Sequence, residues 1–142
     1  GCSKVITVDK IDSILPEADI LYLAMPETPG TKNLISRKRL DLLKPSCGIV
    51  NIGRQSAMDY DVLCEKLRTN KLAGAILDVF VPEPIELNSK LWQIPNLIIT
   101  PHVSADDGES YVRLTLELFT KNLKLFISNK PLINQINKNF GY

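Results

Sequence analysis

Four polar side chains interrupt or end apolar runs of this sequence, and their types suit one reaction. Arg54 follows GIVNIG, Asp78 and Glu83 lie in LDVFVPEP, and His102, the single histidine, follows NLIITP. A guanidinium is a rigid fork that grips a carboxylate through two hydrogen bonds. An imidazole, with an ordinary pKa of about 6.5, gives or takes a proton near neutrality. A glutamate at its second nitrogen fixes the tautomer and favours the protonated ring. Such a set suits reduction of a 2-oxo acid: arginine holds the substrate, histidine protonates the carbonyl oxygen, and a nicotinamide supplies hydride.

Taken singly, each residue has a plainer explanation. Arg54 would serve as a solvated loop cation, Glu83 as a surface residue between prolines, His102 as a satisfied structural histidine, and Asp78 as a cap on the turn after it. Their conjunction at strand ends is what points to a site. A resident metal is not expected, because there is one histidine and no tight ligand spacing. A Cys–His nucleophile pair is not expected either. Cys47 precedes a strand, at the wrong edge, and Cys64 falls in the middle of a helix.

The elements that must position these residues are short. The runs DILYLAM (Asp19 to Met25), GIVNI (Gly48 to Ile52), AGAILDVF (Ala73 to Phe80) and NLIIT (Asn96 to Thr100) are nearly continuous and rich in β-branched residues. That pattern predicts strands covered on both faces. VITV (Val5 to Val8) is a possible fifth strand, and KIDSIL a short helix before Pro16. Ser36 is placed to cap RKRLDLL, and Asp59 to cap YDVLCEKLRTN. Strands alternating with helices at this spacing predict βαβ units and a parallel sheet. In such a sheet ligands bind outside the carboxyl ends of the strands, which is where Asn51, Arg54, Asp78, Glu83, His102, Pro26, Thr28 and Thr31 all fall. From Asp107 to about Ser128, Val112, Leu116, Phe119, Leu123 and Phe126 recur at steps of four and three, predicting one long amphipathic helix packed on a neighbouring element.

Composition narrows the class. The 142 residues carry a net charge of +1, with 44% apolar and 23% charged residues. A chain so close to neutral offers no general attraction to nucleic acid or an anionic membrane, and no apolar run approaches the roughly 18 residues of a membrane span. Cys2, Cys47 and Cys64 are odd in number and widely spaced, so they are read as reduced thiols of a cytoplasmic protein.

The stretches ADILYLAMPETPGTKNLI, LLKPSCGIVNIGR, KLAGAILDVFVPEP and LWQIPNLIITPH, with the long helix after them, resemble the nucleotide-binding half of the D-isomer-specific 2-hydroxyacid dehydrogenases. The resemblance runs from about Asp9 to Pro131. It implies an α/β fold, a partial Rossmann-type doubly wound parallel sheet followed by a long carboxy-terminal helix. It also implies NAD or NADP as cofactor and a small 2-oxo or 2-hydroxy acid as substrate, and a homodimer for the full-length protein. By position, Arg54 resembles the arginine that binds the substrate carboxylate and carbonyl, His102 the acid/base, and Glu83 its partner. Asp78 and Ser104 resemble neighbours of the nicotinamide carboxamide. Ile52 and Gly53 match positions whose backbone lines the nicotinamide, where Arg54 and His102 also approach it. Pro26 and Thr31 match the loop under the adenosine side.

Two departures qualify the resemblance. Gln55-Ser56 stand where the family usually has glycine after the arginine, which bears on substrate choice. HVSADD and the tail ending NKNFGY resemble the glyoxylate and hydroxypyruvate reductase branch. No G-x-G-x-x-G occurs, so the loop that seats the cofactor diphosphate is expected upstream of Gly1. On this reading residues 1–105 are an incomplete dinucleotide-binding domain, and residues 106–142 a helix and tail that return to a missing substrate domain. The chain alone is then expected to be nearly inactive and prone to self-association. The alternatives are a nucleotide-sensing interaction module and an inactive truncated paralogue.

Overall fold

The computed structural model describes residues 1–139. Two units divide the chain, Gly1–His102 and the segment from Val103 onward. The first holds a parallel sheet of four strands: β1 (Ile20–Leu23), β2 (Gly48–Asn51), β3 (Gly74–Leu77) and β4 (Leu97–Ile99), paired in the order in which they occur. The register places Leu23, Asn51, Leu77 and Ile99 level with one another across the sheet. The residues after each of them therefore form one rim, although they are far apart in sequence.

Helix α1 (Arg37–Leu42) joins β1 to β2, and α2 (Tyr60–Arg68) joins β2 to β3. Asp59 caps α2 as expected, its carboxylate accepting the Val62 N–H at 3.1 Å. Ser36 occupies the N-cap position of α1, but its hydroxyl makes no capping bond. Leu40 from α1 and Leu63 and Leu67 from α2 are fully buried, in one cluster with Leu15, Leu23, Ile49 and Leu77. At about 25 cal/mol per Å² of apolar surface removed from water, this one-sided core is what holds the sheet's shape.

Three expectations change. The sheet is covered on one face within this unit, not on both. Ile20, Tyr22 and Ile98 are 66%, 56% and 58% exposed, while the alternate residues Leu23, Ile49, Asn51 and Leu77 are buried. Strands joined in sequential order by right-handed crossovers send their helices to the same side, so the other face receives none from these elements. VITV is not a strand. Val5 is exposed, the Thr7 carbonyl accepts the Lys10 N–H, and 3₁₀ segments at Val8–Ser13 and Leu15–Glu17 stand where the short helix was expected. Without a neighbouring strand to pair with, this β-branched run has no ladder to join.

In the second unit α3 (Tyr111–Ile127) is the long helix. It begins after Asp107, whose carboxylate accepts the N–H groups of Glu109 and Ser110. The bond from the Ser110 hydroxyl, and then these two N–H groups, hold the Asp107 carboxyl below its usual range. Its expected packing face, Val112, Leu116, Phe119, Leu123 and Phe126, is exposed. The tail returns beside the helix, where the Asn122 side chain accepts the Ile133 N–H at 2.8 Å and donates to its carbonyl at 3.2 Å. The final residues of the tail, from Phe140, lie outside the described residues. Among the described residues no helix is long and apolar enough to cross a membrane.

Candidate active site

The rim at the ends of β2, β3 and β4 gathers the chemistry. β3 delivers Asp78 directly after Leu77, and the chain then turns through two cis prolyl bonds, Val81–Pro82 and Glu83–Pro84. Glu83 reaches back across this turn. Its Oε1 accepts the Phe80 N–H at 2.6 Å, and its Oε2 meets His102 Nδ1 at 2.8 Å. The histidine bond, and then the Phe80 N–H, hold the Glu83 carboxyl below the usual carboxylate range. His102 sits just beyond β4 with φ of 58°, a left-handed conformation uncommon for a residue bearing a Cβ.

Asp78 is buried and accepts the hydroxyl of Thr100, the residue that follows β4, while its own N–H donates to the Asn51 carbonyl. Asp78 thus ties the ends of all three strands together, and it is more enclosed than its sequence context suggested. A buried carboxylate acceptor at the strand ends is the group a carboxamide NH₂ would seek, which fits a nicotinamide there.

Arg54 leaves the end of β2 and is exposed, with its Nη1 donating to the Gly53 carbonyl at 2.7 Å. Gly53 passes so close to the end of β1 that a Cβ would lie 2.7 Å from the Met25 carbonyl oxygen, so no other residue fits without moving backbone. Ile52, half-buried, donates its N–H to Leu23. The loop after β1 runs beside this turn: the Thr31 hydroxyl donates to the Pro26 carbonyl at 2.7 Å and accepts the Thr28 N–H at 2.8 Å. Thr31 therefore shapes its own loop. Ser104 falls in the second unit, two residues after His102.

Sequence reasoning missed what fastens the arginine turn. Asn51 is fully buried; its Oδ1 accepts the Gly53 N–H at 3.1 Å and its Nδ2 donates to the Arg54 carbonyl at 3.0 Å and to the Tyr60 hydroxyl at 3.1 Å. Tyr60 donates in turn to the Val79 carbonyl at 2.9 Å. The available signal was Asn51 itself, an amide in strand phase with buried Ile49, which must find buried partners. The Ser56 hydroxyl donates to Glu27, and the Asn33 N–H donates to the Ser56 carbonyl, so Ser56 joins the arginine turn to the loop after β1. Among the described residues no cluster of three or more His, Cys, Asp or Glu is placed to hold a metal ion.

Comparison with known proteins agrees with this architecture. The chain is 40% identical over 100 residues to glyoxylate/hydroxypyruvate reductase B of Pectobacterium carotovorum, covering 70% of this chain and 31% of the relative. It is 31% identical over 134 residues to D-3-phosphoglycerate dehydrogenase of Escherichia coli K12, covering 92% of this chain and 32% of the relative. A solved NADPH-dependent glyoxylate/hydroxypyruvate reductase of Sinorhizobium meliloti, in complex with NADP and sulfate, superposes with a TM-score of 0.86 at 29% identity, over 99% of this chain and 47% of that one. The chain thus spans 31% to 47% of the length of these relatives. Residues 2–104 match the D-isomer specific 2-hydroxyacid dehydrogenase NAD binding domain, and the chain belongs to that family.

Proposed function

We propose that this chain is the nucleotide-binding and acid/base part of an NAD(P)-dependent D-2-hydroxyacid dehydrogenase that reduces a small 2-oxo acid. The observation that carries the reading is the Glu83 carboxylate bonded to His102 Nδ1 at 2.8 Å, on the same rim as Arg54. Glu83 holds the ring so that Nε2 is the nitrogen that exchanges a proton with the substrate oxygen. Arg54 pairs with the substrate carboxylate and polarises the carbonyl beside it. Asp78, Ile52 and Gly53 line the nicotinamide, with Ser104 near its carboxamide and Pro26 and Thr31 under the adenosine side. The cofactor, when bound, supplies the hydride.

The first 105 residues form the incomplete nucleotide-binding domain, and residues 106–142 return toward a substrate domain carried elsewhere in a homodimeric parent protein. No residue of this chain supplies a glycine-rich diphosphate loop, so the isolated chain has little activity of its own. The test uses the full-length protein, following NAD(P)H oxidation with a panel of 2-oxo acids. Replacing His102 by Ala is expected to abolish reduction while leaving NAD(P)H binding intact. Wild-type protein that binds the nucleotide but reduces no 2-oxo acid would overturn the assignment.

A further inference from the structure

Arg54 and His102 arrive on the rim from different strands, and a substrate gripped by one and protonated by the other needs their separation fixed. One buried side chain stands between them. Tyr60, in the first turn of α2, accepts from Asn51 Nδ2 at 3.1 Å and donates to the Val79 carbonyl at 2.9 Å. Its ring meets Phe80 edge-on, with centroids 6.2 Å apart. On one side Asn51 holds the Gly53 N–H and the Arg54 carbonyl. On the other, Val79 is bonded directly to Phe80, whose N–H donates to Glu83, which holds His102. A continuous path thus runs from the arginine turn to the histidine, and its central bonds are buried.

From this path we infer that Tyr60 is a positioning residue that sets the distance between the substrate-binding arginine and the acid/base pair. The inference rests on the roles of Arg54 and His102 proposed above. The hydroxyl is suited to the task because both of its directions are committed: it receives the amide hydrogen and gives its own to a carbonyl. Burial pushes the phenol well above its ordinary range, so it keeps that proton. Without the hydroxyl, Asn51 loses one of its three partners, and its hold on both ends of the Gly53–Arg54 turn weakens. Buried networks of this kind are stiff while every group is satisfied and loosen when one is removed.

The test is Tyr60→Phe in the full-length protein, read in two ways. Steady-state kinetics are expected to show the KM for the 2-oxo acid raised about tenfold, as for loss of one buried hydrogen bond, with the KM for NAD(P)H changed less than about threefold. Trypsin cleavage after Arg54, measured against cleavage after Arg113, is expected to accelerate at least about fivefold as the turn loosens. A lowered melting temperature with unchanged kinetic constants and unchanged cleavage would mean that Tyr60 is only a packing residue, and overturns the inference. If wild-type protein reduces no 2-oxo acid, the proposed function falls, and the Arg54 cleavage rate alone decides whether Tyr60 holds the turn. Should Tyr60→Phe fail to fold, Asn51→Asp keeps the acceptor for Gly53 but removes the donor to Arg54 and Tyr60, and must reproduce the faster cleavage. Unchanged cleavage in that variant also overturns the inference.

Discussion

Replacing Glu83 by Gln keeps the size of the side chain and removes one acceptor and one charge. The carboxylate uses both oxygens, one for the Phe80 N–H at 2.6 Å and one for His102 Nδ1 at 2.8 Å. An amide has one oxygen and one NH₂, so with its oxygen on the Phe80 N–H it turns a donor toward the Nδ1–H and cannot replace the second bond. A hydrogen bond to a charged group is worth about 1.5–3 kcal/mol, whereas exposed ion pairs contribute about 0–1. The side chains are 36% exposed for Glu83 and 46% for His102, so water screens the pair and the loss should fall between these limits. About 1–2 kcal/mol corresponds to a fall of about 5- to 30-fold in kcat/KM for 2-oxo acid reduction. The pH dependence has a definite sign. Glu83 has a depressed carboxyl pKa, so its contribution is fully present above the ordinary carboxylate range and disappears only as pH falls through the lowered value. The deficit should therefore be present across the whole range from about pH 6 to about pH 9. A variant with kcat/KM within twofold of wild type at both ends of that range would refute the reasoning.

Other expectations concern the chain itself. Leu63→Ala empties a fully buried site between α2 and the sheet and should cost about 2–5 kcal/mol in urea unfolding; a loss below about 1 kcal/mol would mean the one-sided core is not tightly packed. Cys2 is exposed and should react quickly with a thiol reagent in the native chain. Cys47 and Cys64, whose thiols burial pushes up, should react only on unfolding. Ile98→Lys, on the open face of the sheet, should change stability by no more than about 0.5 kcal/mol and reduce self-association in sedimentation; marked destabilisation would show that this face is covered in solution.

The sequence exposed the rim because each strand announces its own end. Apolar runs stop at Asp78 and Thr100, and the register brings those stops level. Glu83 and His102 could be placed on that rim from spacing, but their direct bond depends on the turn between two prolines folding the glutamate back. The helix of residues 111–127 was legible from its period, whereas the exposure of its apolar face among the described residues was not. An apolar stripe reports that a face wants burial, without saying whether a partner is present. The same holds for the strands: Ile20, Tyr22 and Ile98 are apolar in a pattern that suits two covered faces, and the crossovers cover one. Asn51 was visible as a polar interruption, but its partner Tyr60 lies nine residues away on a helix, in a direction that periodicity does not specify.

The site is therefore built from two kinds of group, and they should respond differently to change. Glu83 and His102 are partly exposed, joined to each other and to one backbone N–H, and surface pairs of this kind contribute little to folding. Substitutions there should alter chemistry and leave the fold intact. Asn51 and Tyr60 are buried, and their bonds to Gly53, Arg54 and Val79 join the end of β2, the start of α2 and the segment after β3. These contacts both stabilise the unit and aim the arginine, so stability and substrate affinity should fall together when they are cut. The contrast follows from burial alone: a hydrogen bond that water can replace positions a proton at little structural cost, whereas one that water cannot reach holds backbone in place.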